Sequence, residues 1–320
     1  MFLTSTSVIL LGFGTGLTEH RIPAQQQAYS LYATTDNPNN ARTMVLFEFS
    51  PSQFLTDYVR TYRLVHFQFT NSQQSFCKPY PPKPEHCLTF YPRDCENVEY
   101  AESGKKAGDL KAVLFGQQTE VSNRYVGKDF LLFQIVFKPG ALYRITGVPS
   151  YEITNSYLDA ELFFNKEVKE VNDRLNDSPN YNEMVSVIEM FLLRQIKMKS
   201  YDFHRMDMIN EMIIKNSDNR TVDWLAKESC LSIRQFERVF AERMGVSPKY
   251  YTKVARFENA FRMKNKYPHL DWLTIALHCG YYDYQHLVKD YKNLTQKTPT
   301  EFHHLDLSSP ERVFGDKDTY

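Results

Sequence analysis

Arg234, Glu237 and Arg238 lie three and four residues apart, a spacing that sets them on one face of a helix whose other face is Phe236, Val239 and Phe240. Further along, Tyr284, Gln285, Val288, Lys289 and Lys292 stand outward in the same way around an inward pair, Leu287 and Tyr291. The chemistry open to such faces is hydrogen-bond donation. An arginine fork matches the acceptor edge of guanine, a glutamine amide matches adenine, and lysine binds phosphate. A solvated helix face is the plain alternative for the arginines and lysines, and Tyr284 and Val288 could instead pack beneath a neighbouring helix.

The elements that would position these side chains recur as a pair. DWLAKESCLSIRQFERVF from Asp223 and DWLTIALHCGYYDYQHLVKDY from Asp271 each read as an entry helix, a tight turn and a second amphipathic helix. Leu225-Ala226 align with Ile275-Ala276, Phe236 with Leu287, Phe240 with Tyr291, Pro248 with Pro299 and Tyr251 with Phe302. Small Ala226 and Ala276 permit close helix approach, the turns fall at Cys230 and Gly280, and Ser232 and Asp283 are the expected N-caps of the second helices. Between the units, Pro248 to Lys266 keeps apolar residues at helical spacing. As a helix it would span about 27 Å, which holds two second helices nearly one DNA turn (~34 Å) apart.

Charge supports the same region. The chain has 320 residues with 38 Lys/Arg against 38 Asp/Glu, yet residues 219–306 hold fourteen basic and ten acidic side chains. The positive balance is local.

These residues resemble the C-terminal domain of the AraC/XylS family of bacterial transcriptional regulators. The resemblance is carried by Leu225-Ala226, the S-x-R-x-F-x-R-x-F run from Ser232 to Phe240, G-V-S-P at 245–248, Arg256, Ile275-Ala276, G-Y-Y-D-Y-Q-H-L at 280–287 and T-P-T-E-F at 298–302. It implies base or phosphate contacts by Arg234, Glu237 and Arg238 in the first unit. In the second it implies Tyr284, Gln285, His286, Val288 and Lys289, and we add Lys292 from its outward place. His286 sits near the turn and could cap or pack instead. Two positions depart from the family pattern: Leu287 stands for the usual phenylalanine, and Gln296 for a glycine before the final Thr-Pro.

The upstream half reads differently. RLVHFQFT (63–70), CLTFY (87–91), AVLFG (112–116) and FLLFQIVF (130–137) are short β-branched and aromatic runs separated by Pro, Gly and Asp, an antiparallel pattern whose last run is apolar on both faces. From residue 155 the apolar period becomes helical, in LDAELFF (158–164), MVSVIEMFLLRQI (184–196) and MDMINEMII (206–214). The expectation is an α+β chain. Residues 1–43 form a tail and linker, 44–155 a β-rich sandwich or small barrel that senses a ligand or dimerises, and 156–215 a helical connector. Residues 216–306 form an all-α domain with two helix-turn-helix units joined by a long helix, and 307–320 a C-terminal tail. The upstream region, ending in F-K-P-G (137–140) and L-Y-R-I-T-G-V-P, resembles the sensor-type domain of some members of the family.

Other chemistry finds little footing. Gly12, Gly14 and Gly16 are followed by Pro23 and a polar stretch rather than the helix a dinucleotide loop requires. Cys77, His86, Cys87 and Cys95 lack the close pairs of a structural zinc site, and His66 and His86 are isolated. No nucleophile elbow or phosphate loop occurs, so no enzyme, metal or cofactor is expected. Five scattered cysteines and no membrane-length apolar run suit a reduced, cytoplasmic chain. Double-stranded DNA is the expected partner, with room for RNA polymerase, an unidentified small-molecule effector and a homodimer. Phe67, Phe69, Tyr91, Phe133 and Phe137 could line an effector cavity, although a filled core is the simpler fate. The competing readings are an enzyme in the β-rich domain with a DNA-binding tail, and a helical protein-interaction module.

Overall fold

The computed structural model describes residues 29–33, 41–69, 76–199, 204–215 and 220–307. The glycine-bearing start, the linker outside 29–33 and 41–43, and the tail from 308 lie outside these residues, as does the Cys77 side chain.

Eleven strands occur among them: β1 (Tyr29–Ala33), β2 (Ala41–Phe49), β3 (Val59–Phe69), β4 (Phe76–Tyr80), β5 (Cys87–Phe90), β6 (Glu96–Tyr100), β7 (Lys106–Gly108), β8 (Ala112–Phe115), β9 (Ser122–Val126), β10 (Asp129–Phe137) and β11 (Tyr157–Asp159). They build a seven-stranded sheet, β1-β2-β3-β10-β5-β8-β11, and a four-stranded sheet, β4-β9-β6-β7, with antiparallel neighbours throughout. Strand β10 is central because its DFLLFQIVF can bury both faces. Leu131, Phe133, Ile135 and Phe137 enter a core shared with helices, while Phe130, Leu132 and Val136 enter the core between the sheets. Phe67, Phe69 and Tyr91 fill that second core and Phe133 and Phe137 the first, so all five are packing residues.

Helix α1 (Ala141–Thr146) follows the sheets, and α2 (Glu161–Phe164), α3 (Glu167–Asp177) and α4 (Tyr181–Lys199) cover the larger one. Two sequence expectations change here. Tyr29–Ala33, read as linker, is an edge strand in register with Met44–Glu48. Leu158 and Asp159, read as helical, lie in β11 opposite Leu114 and Val113, because the sheet edge overrides a helical spacing only seven residues long.

The C-terminal helices are α5 (Arg205–Lys215), α6 (Val222–Glu228), α7 (Ile233–Met244), α8 (Pro248–Lys266), α9 (Trp272–His278), α10 (Tyr284–Thr295) and α11 (Pro299–Leu307). Helix α5, expected in the connector, buries Met206, Ile209 and Ile213 in one core with α6, α7, Tyr251 and Ala255. A second core joins Val254, Phe257, Ala260 and Phe261 of α8 to α9, α10 and α11. Helix α8 therefore gives adjacent stripes of one surface to two cores.

Candidate nucleic-acid interface

Helices α7 and α10 each start on a sequence-encoded cap. Ser232 accepts from the Gln235 backbone N–H while the Gln235 side chain accepts from the Ser232 N–H, and Asp283 accepts from the His286 N–H at 2.7 Å. The turns before them need a left-handed residue. Gly280 meets that need at φ +79°, whereas Cys230 holds φ +58°, at a cost of about 1–2 kcal/mol for a residue with a Cβ. Gln296 likewise stands at φ +60° in the C-cap of α10, the left-handed state that glycine adopts most readily.

Phe236 and Phe240 are fully buried under α7, and Leu287 and Tyr291 under α10, which turns the complementary faces outward. Arg234, Glu237 and Arg238 are exposed on α7, and Gln285, Lys289 and Lys292 on α10. No salt bridge engages Arg234, Lys289 or Lys292 among the described residues. Arg238 has only a loose approach of 3.8 Å to Glu242. These six groups are available to solvent donors and acceptors. Val288 is half-buried, and Tyr284 packs partly against the second core.

His286 takes the inward role. Its Nε2 accepts from Arg256 Nη2 at 3.1 Å, and its ring meets Tyr281 edge-on at 5.1 Å. Arg256 also donates to Asp290 Oδ2 at 2.8 Å and lies over the Tyr281 ring. Here His286 braces α10 against α8 rather than facing outward with its neighbours. The motif held Arg256, but its partners 30 and 34 residues away emerge only in the fold.

The β-rich half grips the far end of α7. The Ser150 hydroxyl donates to the Arg243 carbonyl and the Thr154 hydroxyl to the Gly245 carbonyl, both at 2.9 Å. A Cβ at Gly245 would stand 2.5 Å from Thr154 Oγ1, so this approach requires glycine. Tyr143 donates to Glu242 Oε1 at 2.9 Å, and the other oxygen of Glu242 faces Arg238, which links the β-rich half to an exposed arginine of α7 through one carboxylate.

His86 lies in the same contact. Burial holds its ring neutral, pushing the pKa down to about 4 from 6.5 against a weaker opposing hydrogen bond to the Met244 backbone. The unfolded chain then takes up the proton first, so His86 removes stability as pH falls from about 6.5 to about 4 and has no further effect below. The loss is about 3 kcal/mol. Urea titrations of the parent and His86→Gln at pH 7 and pH 4 should show a pH dependence smaller by that amount in the variant; equal dependences would place the acid sensitivity elsewhere.

Residues 225–304 match the family model described as a helix-turn-helix domain. The C-terminal unit is a helix-turn-helix domain of the AraC type. Over 82 residues the chain is 33% identical to an uncharacterized HTH-type transcriptional regulator of Haemophilus influenzae, covering 25% of this chain and 27% of that protein. The chain thus spans about a quarter of the length of the curated relative it matches. Upstream of the AraC-type domain, residues 47–159 match a domain of unknown function, DUF6597. Among solved structures, ToxT from Vibrio cholerae O395 aligns at 11% identity and TM-score 0.43, over 78% of this chain and 98% of its own. An AraC-type DNA-binding domain-containing regulator from Chromobacterium violaceum aligns at 25% identity and TM-score 0.29, over 32% of this chain and 90% of its own. Among the described residues no helix is long and apolar enough to cross a membrane.

Proposed function

We propose that the protein is a sequence-specific DNA-binding transcriptional regulator whose AraC-type domain reads two adjacent major-groove segments with α7 and α10. The observation that carries this reading is the pair of capped helices presenting Arg234 and Arg238 on one and Gln285, Lys289 and Lys292 on the other, with α8 between them. Arg234, Arg238, Gln285 and Lys289 are the base readers. Lys292 takes phosphate, Glu237 selects against mismatched edges, and Tyr284 and Val288 contribute apolar contact at the groove. His286 supports α10 from behind.

In this reading the β-rich half senses or dimerises and does not catalyse. Its aromatic residues fill cores, and its contacts with α7 give it a hold on the reader. RNA polymerase and a second copy of the chain are the further partners of a regulator of this kind.

Selection of bound fragments from random double-stranded DNA tests the function. The recovered site should bind with a log-log salt slope of about −0.9 per neutralised phosphate. Arg238→Ala should then weaken the selected site by about 1–3 kcal/mol while changing random DNA much less. An unchanged ratio of selected to random affinity would remove Arg238 from the base readers, and failure to enrich any site would remove the function.

A further inference from the structure

Arg205 opens α5 and stands upstream of the matched helix-turn-helix residues 225–304. In the fold it returns to them. Its Nη1 donates to Cys230 Sγ at 3.0 Å, and Cys230 is the left-handed residue of the turn from α6 to α7. Two residues beyond Cys230 stands the Ser232 cap, and four beyond it the exposed Arg234. A guanidinium from outside the unit therefore rests on the turn by which the chain enters α7.

Its charge is free while its place is fixed. Arg205 is exposed, and among the described residues no carboxylate pairs with it. A thiol is a weak acceptor, so it orients the guanidinium and leaves the other N–H groups open. The backbone beneath is held from both directions. Asp207, two residues on, takes the two-point ion pair with Arg243 at the far end of α7, and Met206 is fully buried in the core that α5 shares with Phe236 and Phe240. Further along α5, Glu211 pairs with Lys138 of the β-rich half at 3.0 Å. A side chain already held in place loses less freedom on gripping a ligand than a loose one does.

We infer that Arg205 grips a DNA phosphate at the edge of the major groove that α7 enters, so that α5 joins the interface from outside the helix-turn-helix unit. In such a unit the second helix lies in the groove while the first crosses the backbone, and the turn between them faces the groove wall. That wall is phosphate. The inference rests on the regulator reading given above, but only on its duplex-binding part, because a phosphate contact positions the protein and carries no sequence information. Its signature is the salt dependence, since each phosphate left unneutralised removes its share of the counterions released.

The test is fluorescence anisotropy of the full-length protein on the selected site and on random duplex across a salt series. Arg205→Gln should weaken both duplexes alike, by about tenfold at low salt, and lower the log-log slope by about 0.9 while the ratio of selected to random affinity stays constant. Arg205→Lys should keep the slope. Arg174→Gln, at an exposed arginine of α3, measures the effect of losing a charge away from α7 and should match the parent. Each variant should melt with the parent in thermal unfolding. The proposal is overturned if Arg205→Gln leaves the slope unchanged, if its loss is confined to the selected site, if Arg174→Gln lowers the slope equally, or if the protein binds no duplex. Where a site is selected and Arg238→Ala removes its advantage, an indifferent Arg205→Gln removes the phosphate contact alone. Where no site is enriched and Arg205→Gln still lowers the slope on random duplex, the contact stands and sequence reading falls.

Discussion

Replacing Asp207 with alanine is expected to lower unfolding stability by about 3–5 kcal/mol, the cost of leaving a buried guanidinium without its counter-charge. Asp207 Oδ1 and Oδ2 accept from Arg243 Nε and Nη2 at 2.7 and 2.8 Å, and the two side chains are 4% and 7% exposed. Their surroundings are built to the same tolerance. A Cβ on Gly140 would stand 2.0 Å from Asp207 Oδ1, and Gly140 itself has φ +77°, so the end of β10, α5 and α7 meet at one point. Domain stability is commonly about 5–15 kcal/mol in total, which makes this single change a large fraction of it. Urea unfolding of Asp207→Ala should show the loss as a lower midpoint. The double variant Asp207→Ala with Arg243→Met should recover a good part of it, since no uncompensated charge remains. A loss below about 1 kcal/mol in the single variant would mean that the pair is solvated in solution.

Inserting five base pairs between the two halves of the selected DNA site is expected to weaken binding about a hundredfold or more, because the second major-groove segment turns to the opposite side of the duplex. Helix α8 has 19 residues and is about 28 Å long. Its contacts with both cores leave it no freedom to twist by half a turn. An insertion of about ten base pairs restores the face but adds ~34 Å, a distance the helix cannot bridge, so affinity should not return. Gel shifts with the three spacings decide the matter. Undiminished binding to the five-base-pair insert would assign recognition to one unit alone.

The reader was legible in the sequence because its signals are local. Caps, turns and a 3.6-residue apolar period lie within a few residues of what they specify, and Ser232, Asp283, Gly280 and the inward Phe236, Phe240, Leu287 and Tyr291 all take the expected roles. The runs that became β3, β5, β8 and β10 were legible by composition. Strand β1 was not, since its five residues YSLYA are embedded in a polar, turn-rich stretch and their pairing along β2 is what makes them a strand. Short, mixed segments such as β6, β7 and β9 depend on partners rather than on their own residues. The inward turn of His286 accompanies its bond to Arg256, and α5 joins the C-terminal helices through a shared core and an ion pair spanning 36 residues. Long-range polar pairing leaves no periodicity behind.

The two helix-turn-helix units look like cassettes in the sequence, but the molecule does not permit them to be traded as such. Tyr251 and Ala255 serve the first core while Val254, Phe257 and Phe261 serve the second, so a graft joined within Pro248–Lys266 would marry half a helix surface to a stranger. Change at one core-facing position of that helix is felt on both sides, which couples the history of the first reading surface to that of the second. Only the outward residues of α7 and α10 can be exchanged without disturbing either core.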